Sequence, residues 1–324
     1  MPGLQRSSRI ESWPVAGTFT ISRGSKREAR VVVVEIDDGR HAGRGECVPY
    51  PRYDQTPEGT LAEIEAAPVV LDRDELSRSM AASAARNGLD CALWDLAAKR
   101  AGQRAYQLAG LAKPEPLLTC YTLSLADPED MAAKAAAVAN LPLLKLKLGG
   151  PGDAERMRAV RRVRPEARLV ADANEGWAEA DVERLLAVAA ETGIEVVEQP
   201  LPAGRDEMLA RIRRPVAVCA DESAHCADGL RALAGRYDAV NIKLDKTGGL
   251  TEALTMARQA RALGFKIMVG CMVATSLSMA PALLVAQGAD WVDLDGPMLL
   301  ERDREPGLTI RNGVIAEAPG ALWG

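Results

Sequence analysis

Between residues 117 and 295 short apolar runs alternate with amphipathic stretches, one pair every 22 to 28 residues or so. The apolar runs predict strands at Leu117–Thr122, Leu143–Leu148, Arg168–Asp172, Glu195–Glu198, Val216–Asp221, Ala239–Lys243, Lys266–Cys271 and Trp291–Asp295. Helical spacing falls between them, for example over Pro128–Asn140, Ala154–Arg164, Ala180–Thr192 and Leu250–Leu263. A parallel strand pair needs a crossover of about a dozen residues or more. Continuous apolar strands in a β–α rhythm are therefore the mark of a parallel sheet, and eight of them predict a closed barrel. No clear helix follows the eighth strand, and Arg302–Gly324 reads as a strand-and-turn tail that returns to the first domain.

The N-terminal third has a different texture. Thr18–Ser22, Ala29–Ile36 and Ala42–Glu46 read as an antiparallel meander, with Asp37-Asp38-Gly39 as a hairpin turn and Arg23-Gly24-Ser25 as a loop tip. A loop stiffened by Pro49 and Pro51 follows, and from Pro57 to Gly102 the pattern is helical. Leu89, Leu93 and Leu96 form one stripe at helical spacing, which with Trp94 reads as core. The predicted class is α/β: a (β/α)7β TIM-like barrel over 114–300, an α+β capping domain over 1–113, and a C-terminal tail over 301–324 that joins the cap.

Composition narrows the function. The chain of 324 residues is 48% apolar and 26% charged, which suits a globular protein. A net charge of −5 and a pI near 5.4 argue against nucleic acid or an anionic membrane as partner. Six cysteines without a CxxC pair read as reduced thiols. The first thirty residues hold no apolar signal segment, so the expected location is the cytoplasm.

The candidate chemistry lies at the strand ends. In Leu144-Lys145-Leu146-Lys147-Leu148 the two lysines share a face, because strand residues i and i+2 point the same way. The next predicted strands end in Asp172, Glu198, Asp221 and Lys243, at steps of 25, 26, 23 and 22 residues from Lys147 onward. Barrel active sites sit at the C-terminal strand ends, so these five charges would form an arc around one mouth. Any one Asp there is well explained as a helix N-cap; three carboxylates flanked by amines are not. An all-oxygen set of this kind suits Mg²⁺, and with only His41 and His225 in the chain zinc is not expected. A lysine on each side of a metal-held carboxylate can act as base and acid on opposite faces of a carbon, with the metal stabilising an enediolate. The second ammonium at Lys145 and the cation would each lower the lysine pKa into a useful range. Asp293 and Asp295 also share a face; surface acidity at a strand end is the plain reading of the pair, and a clamp for a substrate ammonium the functional one. Gly248-Gly249 reads as a plain turn and Lys246 as a solvated charge.

These residues resemble the enolase superfamily, in its muconate-lactonising branch, and within that branch the dipeptide epimerases, those acting on L-Ala-D/L-Glu above all. The carrying motifs are Lys145-Leu146-Lys147, Asp172-Ala173-Asn174, Glu198-Gln199-Pro200, Asp221-Glu222-Ser223, Asn241-Ile242-Lys243 and Asp293-Leu294-Asp295. Ile21–Ser25, Gly45–Tyr50 and Leu89–Leu96 extend the likeness over nearly the whole chain. The resemblance implies one Mg²⁺ per chain on Asp172, Glu198 and Asp221, with Lys147 and Lys243 as the two acid/base catalysts and Lys145 on the substrate carboxylate. It implies that Asp293 and Asp295 hold a dipeptide's ammonium and that Arg23 receives a Glu side chain by a charge-assisted fork. Thr122, Tyr50 and Arg52 are further pocket candidates. The Cys271–Ser276 stretch varies from the family's pattern. The implied role is epimerisation of a small dipeptide in murein-peptide recycling. A barrel with a capping domain is also compatible with homo-oligomers. Rival readings are another reaction of the branch (cycloisomerisation, o-succinylbenzoate synthesis or N-acylamino acid racemisation), a non-catalytic metal-binding barrel and, last, a pyridoxal-type racemase.

Overall fold

A computed structural model describes residues 4–69 and 72–324. Its N-terminal unit is built on a long hairpin, β1 (Gln5–Ile21) and β2 (Gly24–Asp37), followed by β3 (Ala42–Cys47). Val31 to Val34 on β2 are wholly buried. The hairpin is longer than the sequence predicts. β1 begins at Gln5 rather than Thr18, and Gly24 and Ser25 pair with Ile21 and Thr20, which leaves a two-residue turn at Ser22-Arg23. The signal is hidden because β1 is an edge strand, polar along much of its length and interrupted by Pro14, where the register shifts. Helices α1 (Pro57–Ala66), α2 (Arg73–Ser79), α3 (Ala84–Ala101) and α4 (Ala105–Leu108) follow. The Ser83 side chain caps the start of α3 and Gly102, at φ 62°, ends it. The Leu89, Leu93 and Trp94 side chains are core, as their spacing predicts.

The first predicted barrel strand splits in two. β4 (Leu117–Leu118) leaves the barrel to pair with the tail, and only β5 (Tyr121–Leu123) enters it. The parallel series continues with α5 (Pro128–Ala137), β6 (Leu143–Lys147), α6 (Asp153–Val163), β7 (Arg168–Asp172), α7 (Glu179–Glu191), β8 (Ile194–Glu198) and β9 (Ala217–Ala220). It ends with α8 (Leu230–Leu233), β10 (Ala239–Ile242), α9 (Leu244–Thr247), α10 (Leu250–Ala262), β11 (Lys266–Gly270), α11 (Ser276–Ala286) and β12 (Trp291–Asp293). The eight strands β5 to β12 lie side by side in chain order. The Cys120 amide donates to the Val292 carbonyl at 2.8 Å and draws the first and last strands together. The helical ring is thin after β8 and β9, where a 3₁₀ turn at Glu207–Ala210 and the four-residue α8 replace full helices.

The barrel floor is one apolar layer: Cys120, Leu143, Val170, Val196, Cys219, Ala239, Met268 and Trp291. Because strand side chains alternate faces, the inward residues two and four places further on line the mouth. The tail forms β13 (Ile310–Arg311) and β14 (Val314–Ile315) on β4. Its last residues reach the cap, where the Gly324 amide donates to Asp95 Oδ1 at 2.8 Å and Trp323 Nε1 to the Cys91 carbonyl at 3.0 Å. Among the described residues no helix is long and apolar enough to cross a membrane.

Candidate active site

Two or four steps above the floor the alternation delivers charge on nearly every strand. Leu143 is followed inward by Lys145 and Lys147, Val170 by Asp172, Val196 by Glu198, Cys219 by Asp221, Ala239 by Asn241 and Lys243, and Trp291 by Asp293 and Asp295. All are buried. Lys147 sits opposite Asp172, and Asp172 opposite Glu198, in the register of adjacent strands. Gly270 on β11 is inward too and must be glycine. A Cβ there would stand 2.7 Å from Asn241 Oδ1 and 3.0 Å from the Lys243 stem.

The ammonium groups thread between the carboxylates. Lys145 Nζ lies 2.6 Å from Asp293 Oδ2, 2.5 Å from Glu198 Oε2 and 3.3 Å from Asp172 Oδ2. Lys147 Nζ donates to Asp172 Oδ2 at 2.6 Å, and Lys243 Nζ to Asp221 Oδ2 at 2.7 Å. The sequence reading of Lys246 as a solvated charge is wrong: it is fully buried and donates to Asp221 Oδ1 at 2.6 Å and to the Asp221 and Asn241 carbonyls. The helical turn after Lys243 carries it back under the strand ends. Gly248-Gly249 is a turn as expected, and Arg86 of the cap donates to the Gly248 carbonyl at 3.0 Å.

The electrostatics differ from expectation in one respect. Burial would push the Lys145 ammonium down, but Asp293, Glu198 and Asp172 outweigh it and hold it well above the ordinary lysine range. Lys243 is raised in the same way, burial being outweighed by Asp221 and Glu198. The sequence reading expects lowered lysines; the chain by itself raises these two, because carboxylates surround each ammonium. Burial raises Asp221, but Lys243 and Lys246 hold it well below the carboxylate range. Glu198 is pushed up to about 8, by burial and then by the Asp172 charge. Burial and then Asp293 push Asp295 up to about 7.

Among the described residues no three acidic, His or Cys side chains close on a single point; the carboxylates face lysines instead. Their chemistry nonetheless fits a hard divalent cation. The donors are all carboxylate oxygens, and Glu198 Oε2 is buried without a hydrogen bond, met only by the Lys145 charge. Above the charges opens a cavity of about 730 Å³ between hairpin and barrel. Lys147, Lys243, Asp293, Asp295, Thr122, Tyr50, Arg52 and Arg23 all line it, so the structure brings these predicted pocket residues to one place. Asp293 Oδ1 is buried and unpartnered, while Asp295 Oδ2 accepts the Thr122 amide at 2.6 Å. Arg23 crosses from the hairpin tip to Glu222, Tyr50 and the Asn174 carbonyl. Arg52 forks onto Glu175 at 2.7 and 2.8 Å. Asn241, Glu222, Glu175 and Lys246 are missed by sequence reasoning. For Asn241 the signal is there, since it lies two residues before Lys243 on an inward face.

A family model described as Mandelate racemase / muconate lactonizing enzyme, N-terminal domain matches residues 7–110, and one described as Enolase C-terminal domain-like matches 130–321. This chain belongs to the enolase superfamily. Within the superfamily it is 45% identical to the L-Ala-D/L-Glu epimerase of Escherichia coli K12, over 94% of this chain and 97% of that one. It is 41% identical to the N-acetyl-D-glutamate racemase of a Pseudoalteromonas species, over 91% and 95%. A crystal structure of an enolase family member from Agrobacterium tumefaciens, with bound sodium and L-Ala-L-Glu, superposes with a TM-score of 0.97 at 55% identity, covering 99% of this chain and 100% of that one. The dipeptide epimerase of Enterococcus faecalis, complexed with Mg and L-Leu-L-Tyr, superposes at 0.88 with 29% identity, covering 97% and 96%. The chain is an isomerase of the racemase and epimerase class.

Proposed function

We propose that this enzyme is a Mg²⁺-dependent dipeptide epimerase that inverts the α-carbon of the C-terminal residue of L-Ala-D-Glu or L-Ala-L-Glu. The observation that carries the reading is that Lys147 and Lys243, from non-adjacent strand ends, line one cavity together with Asp293 and Asp295. Asp172, Glu198 and Asp221 would hold the cation, which when bound supplies positive charge against the negative charge that grows on the substrate carboxylate as its α-proton leaves. Lys145 adds a second positive charge to that carboxylate. Lys147 and Lys243 stand on opposite sides of the carbon. One removes the proton from Cα as a neutral amine; the other returns a proton to the opposite face as an ammonium. Their roles exchange with the direction of the reaction.

The unpartnered Asp293 Oδ1 and the Asp295 carboxylate suit the dipeptide's ammonium. Arg23 suits the Glu side chain, which would take the place that Glu222 holds beside the guanidinium. Such a reaction belongs to the recycling of murein peptides. The relative that racemises N-acetyl-D-glutamate supports a second reading, in which the substrate is an acylated amino acid. Chiral chromatography of L-Ala-L-Glu and N-acetyl-L-glutamate incubated with the protein and Mg²⁺ separates the two. Formation of L-Ala-D-Glu with little turnover of the acylated amino acid supports the first reading, and the reverse supports the second.

A further inference from the structure

Each carboxylate assigned to the cation has one oxygen already engaged by a donor of the chain. Asp172 Oδ1 accepts the Asn174 amide at 2.8 Å. Glu198 Oε1 accepts from Asn241 Nδ2 at 2.7 Å. Asp221 Oδ1 accepts from Lys246 Nζ at 2.6 Å. The opposite oxygens, Asp172 Oδ2, Glu198 Oε2 and Asp221 Oδ2, meet only the ammonium groups of Lys145, Lys147 and Lys243.

The two sets of contacts differ in kind. The engaging donors are fixed. The Asn174 amide is backbone, on a residue in the left-handed region at φ 44°. Asn241 is inward on a central barrel strand and wholly buried. Lys246 is tied by two carbonyls besides the carboxylate. Of the ammonium groups on the other oxygens, those of Lys147 and Lys243 border the cavity, whereas Lys246 is wholly enclosed. Lys145, Lys147 and Lys243 therefore crowd one oxygen of each carboxylate, while a fixed donor, Lys246 among them, holds the other.

We propose that Asn241 and Lys246 are positioning residues that restrict Glu198 and Asp221 to one oxygen each, as the Asn174 amide restricts Asp172, and so favour a small six-coordinate cation over Ca²⁺. This rests on the metal-site reading given above. Ca²⁺ takes six to eight oxygens and uses bidentate carboxylates readily, whereas Mg²⁺ demands near-octahedral geometry. Three carboxylates limited to one oxygen apiece give Mg²⁺ what it needs and deny Ca²⁺ the extra ligands that usually favour it. Removing the Asn241 donor frees Glu198 Oε1, and removing the Lys246 ammonium frees Asp221 Oδ1.

The test is calorimetric titration of EDTA-stripped protein with MgCl₂ and with CaCl₂, for the wild type, Asn241→Ala and Lys246→Met, with circular dichroism to show which variants fold. The wild type should bind Mg²⁺ at least as tightly as Ca²⁺, and each folded variant should lose about tenfold or more of its Mg²⁺-over-Ca²⁺ preference, the scale on which removing a ligand's hydrogen-bond partner acts. A purely structural role would weaken both cations alike. Folded variants that keep the ratio within about twofold overturn the inference, as does a wild type that prefers Ca²⁺, a result that needs no variant. A wild type that binds neither cation is a different failure, that of the metal site itself.

Discussion

The Arg23 guanidinium lies 2.7 Å from the Glu222 carboxylate, bridging the hairpin tip and the residue that follows Asp221. Glu222 is buried and its second oxygen has no partner. Arg23 is thus held over the cavity by a contact that an incoming carboxylate can replace. Replacing Arg23 by Met should raise KM for L-Ala-L-Glu about ten- to a hundredfold, the value of a charged hydrogen bond. It should change KM for L-Ala-L-Leu little. Steady-state kinetics on the two dipeptides check this, and equal losses on both would remove Arg23 from side-chain recognition.

Lys147→Ala and Lys243→Ala should each lower kcat by roughly 10²–10⁴. The two should differ in which diastereomer suffers more, because each lysine serves one face of the carbon. Equal, mild losses from both variants in both directions, measured by chiral chromatography, would contradict the two-lysine mechanism.

The dipeptide's ammonium is expected to sit on Asp293 and Asp295. Acetylating that amine removes the charge that would meet Asp295 and the unpartnered Asp293 Oδ1, and losing one partner of a buried charged pair costs about 2–5 kcal/mol. N-acetyl-L-Ala-L-Glu should therefore turn over at least about thirtyfold more slowly in kcat/KM than the free dipeptide. Comparable values would detach Asp293 and Asp295 from ammonium binding.

The charged arc is legible in the sequence because strand alternation is a strict period of two. Once Leu143, Val170, Val196 and Cys219 are inward, Lys145, Lys147, Asp172, Glu198 and Asp221 must be inward too. Residues more than one place beyond a strand end, or in the turns that follow, carry no such rule. Lys246 reads as solvated because nothing in its spacing reveals that α9 folds it back under Asp221. Glu222 and Glu175 are hidden for the same reason, and Glu175 stands at φ 64°, which no periodicity foretells. The early start of β1 is hidden because an edge strand facing solvent needs no apolar alternation. The split of the first barrel strand depends on a partner nearly 200 residues away in the tail. The chain length between β8 and β9 allows a full helix that packing does not supply.

Asp245 ties the cap to the barrel, accepting the Val48 amide at 2.9 Å and Asn87 Nδ2 at 2.7 Å. Burial, opposed by those two hydrogen bonds, pushes its carboxyl up to about 7. An acid raised in the folded state gives stability that is full below its unfolded pKa near 4 and is lost as pH rises through about 7. Asp245→Asn keeps an acceptor oxygen and removes the charge. Its melting temperature should exceed that of the wild type at pH 8, with the gap closing toward pH 4. A tenfold change in a carboxyl's proton affinity on folding corresponds to about 1.4 kcal/mol of stability. Thermal unfolding across that range checks it, and a gap that widens toward acid would refute the assignment.

The most direct test of the two-lysine proton transfer is proton NMR of L-Ala-L-Glu in D₂O with the protein and Mg²⁺. Transfer between Lys147 and Lys243 predicts washout of the Glu α-proton together with appearance of L-Ala-D-Glu, both abolished by EDTA, while the Ala α-proton stays. Absence of exchange at the Glu α-carbon over a panel of dipeptides, with Mg²⁺ present and the protein folded, would contradict it.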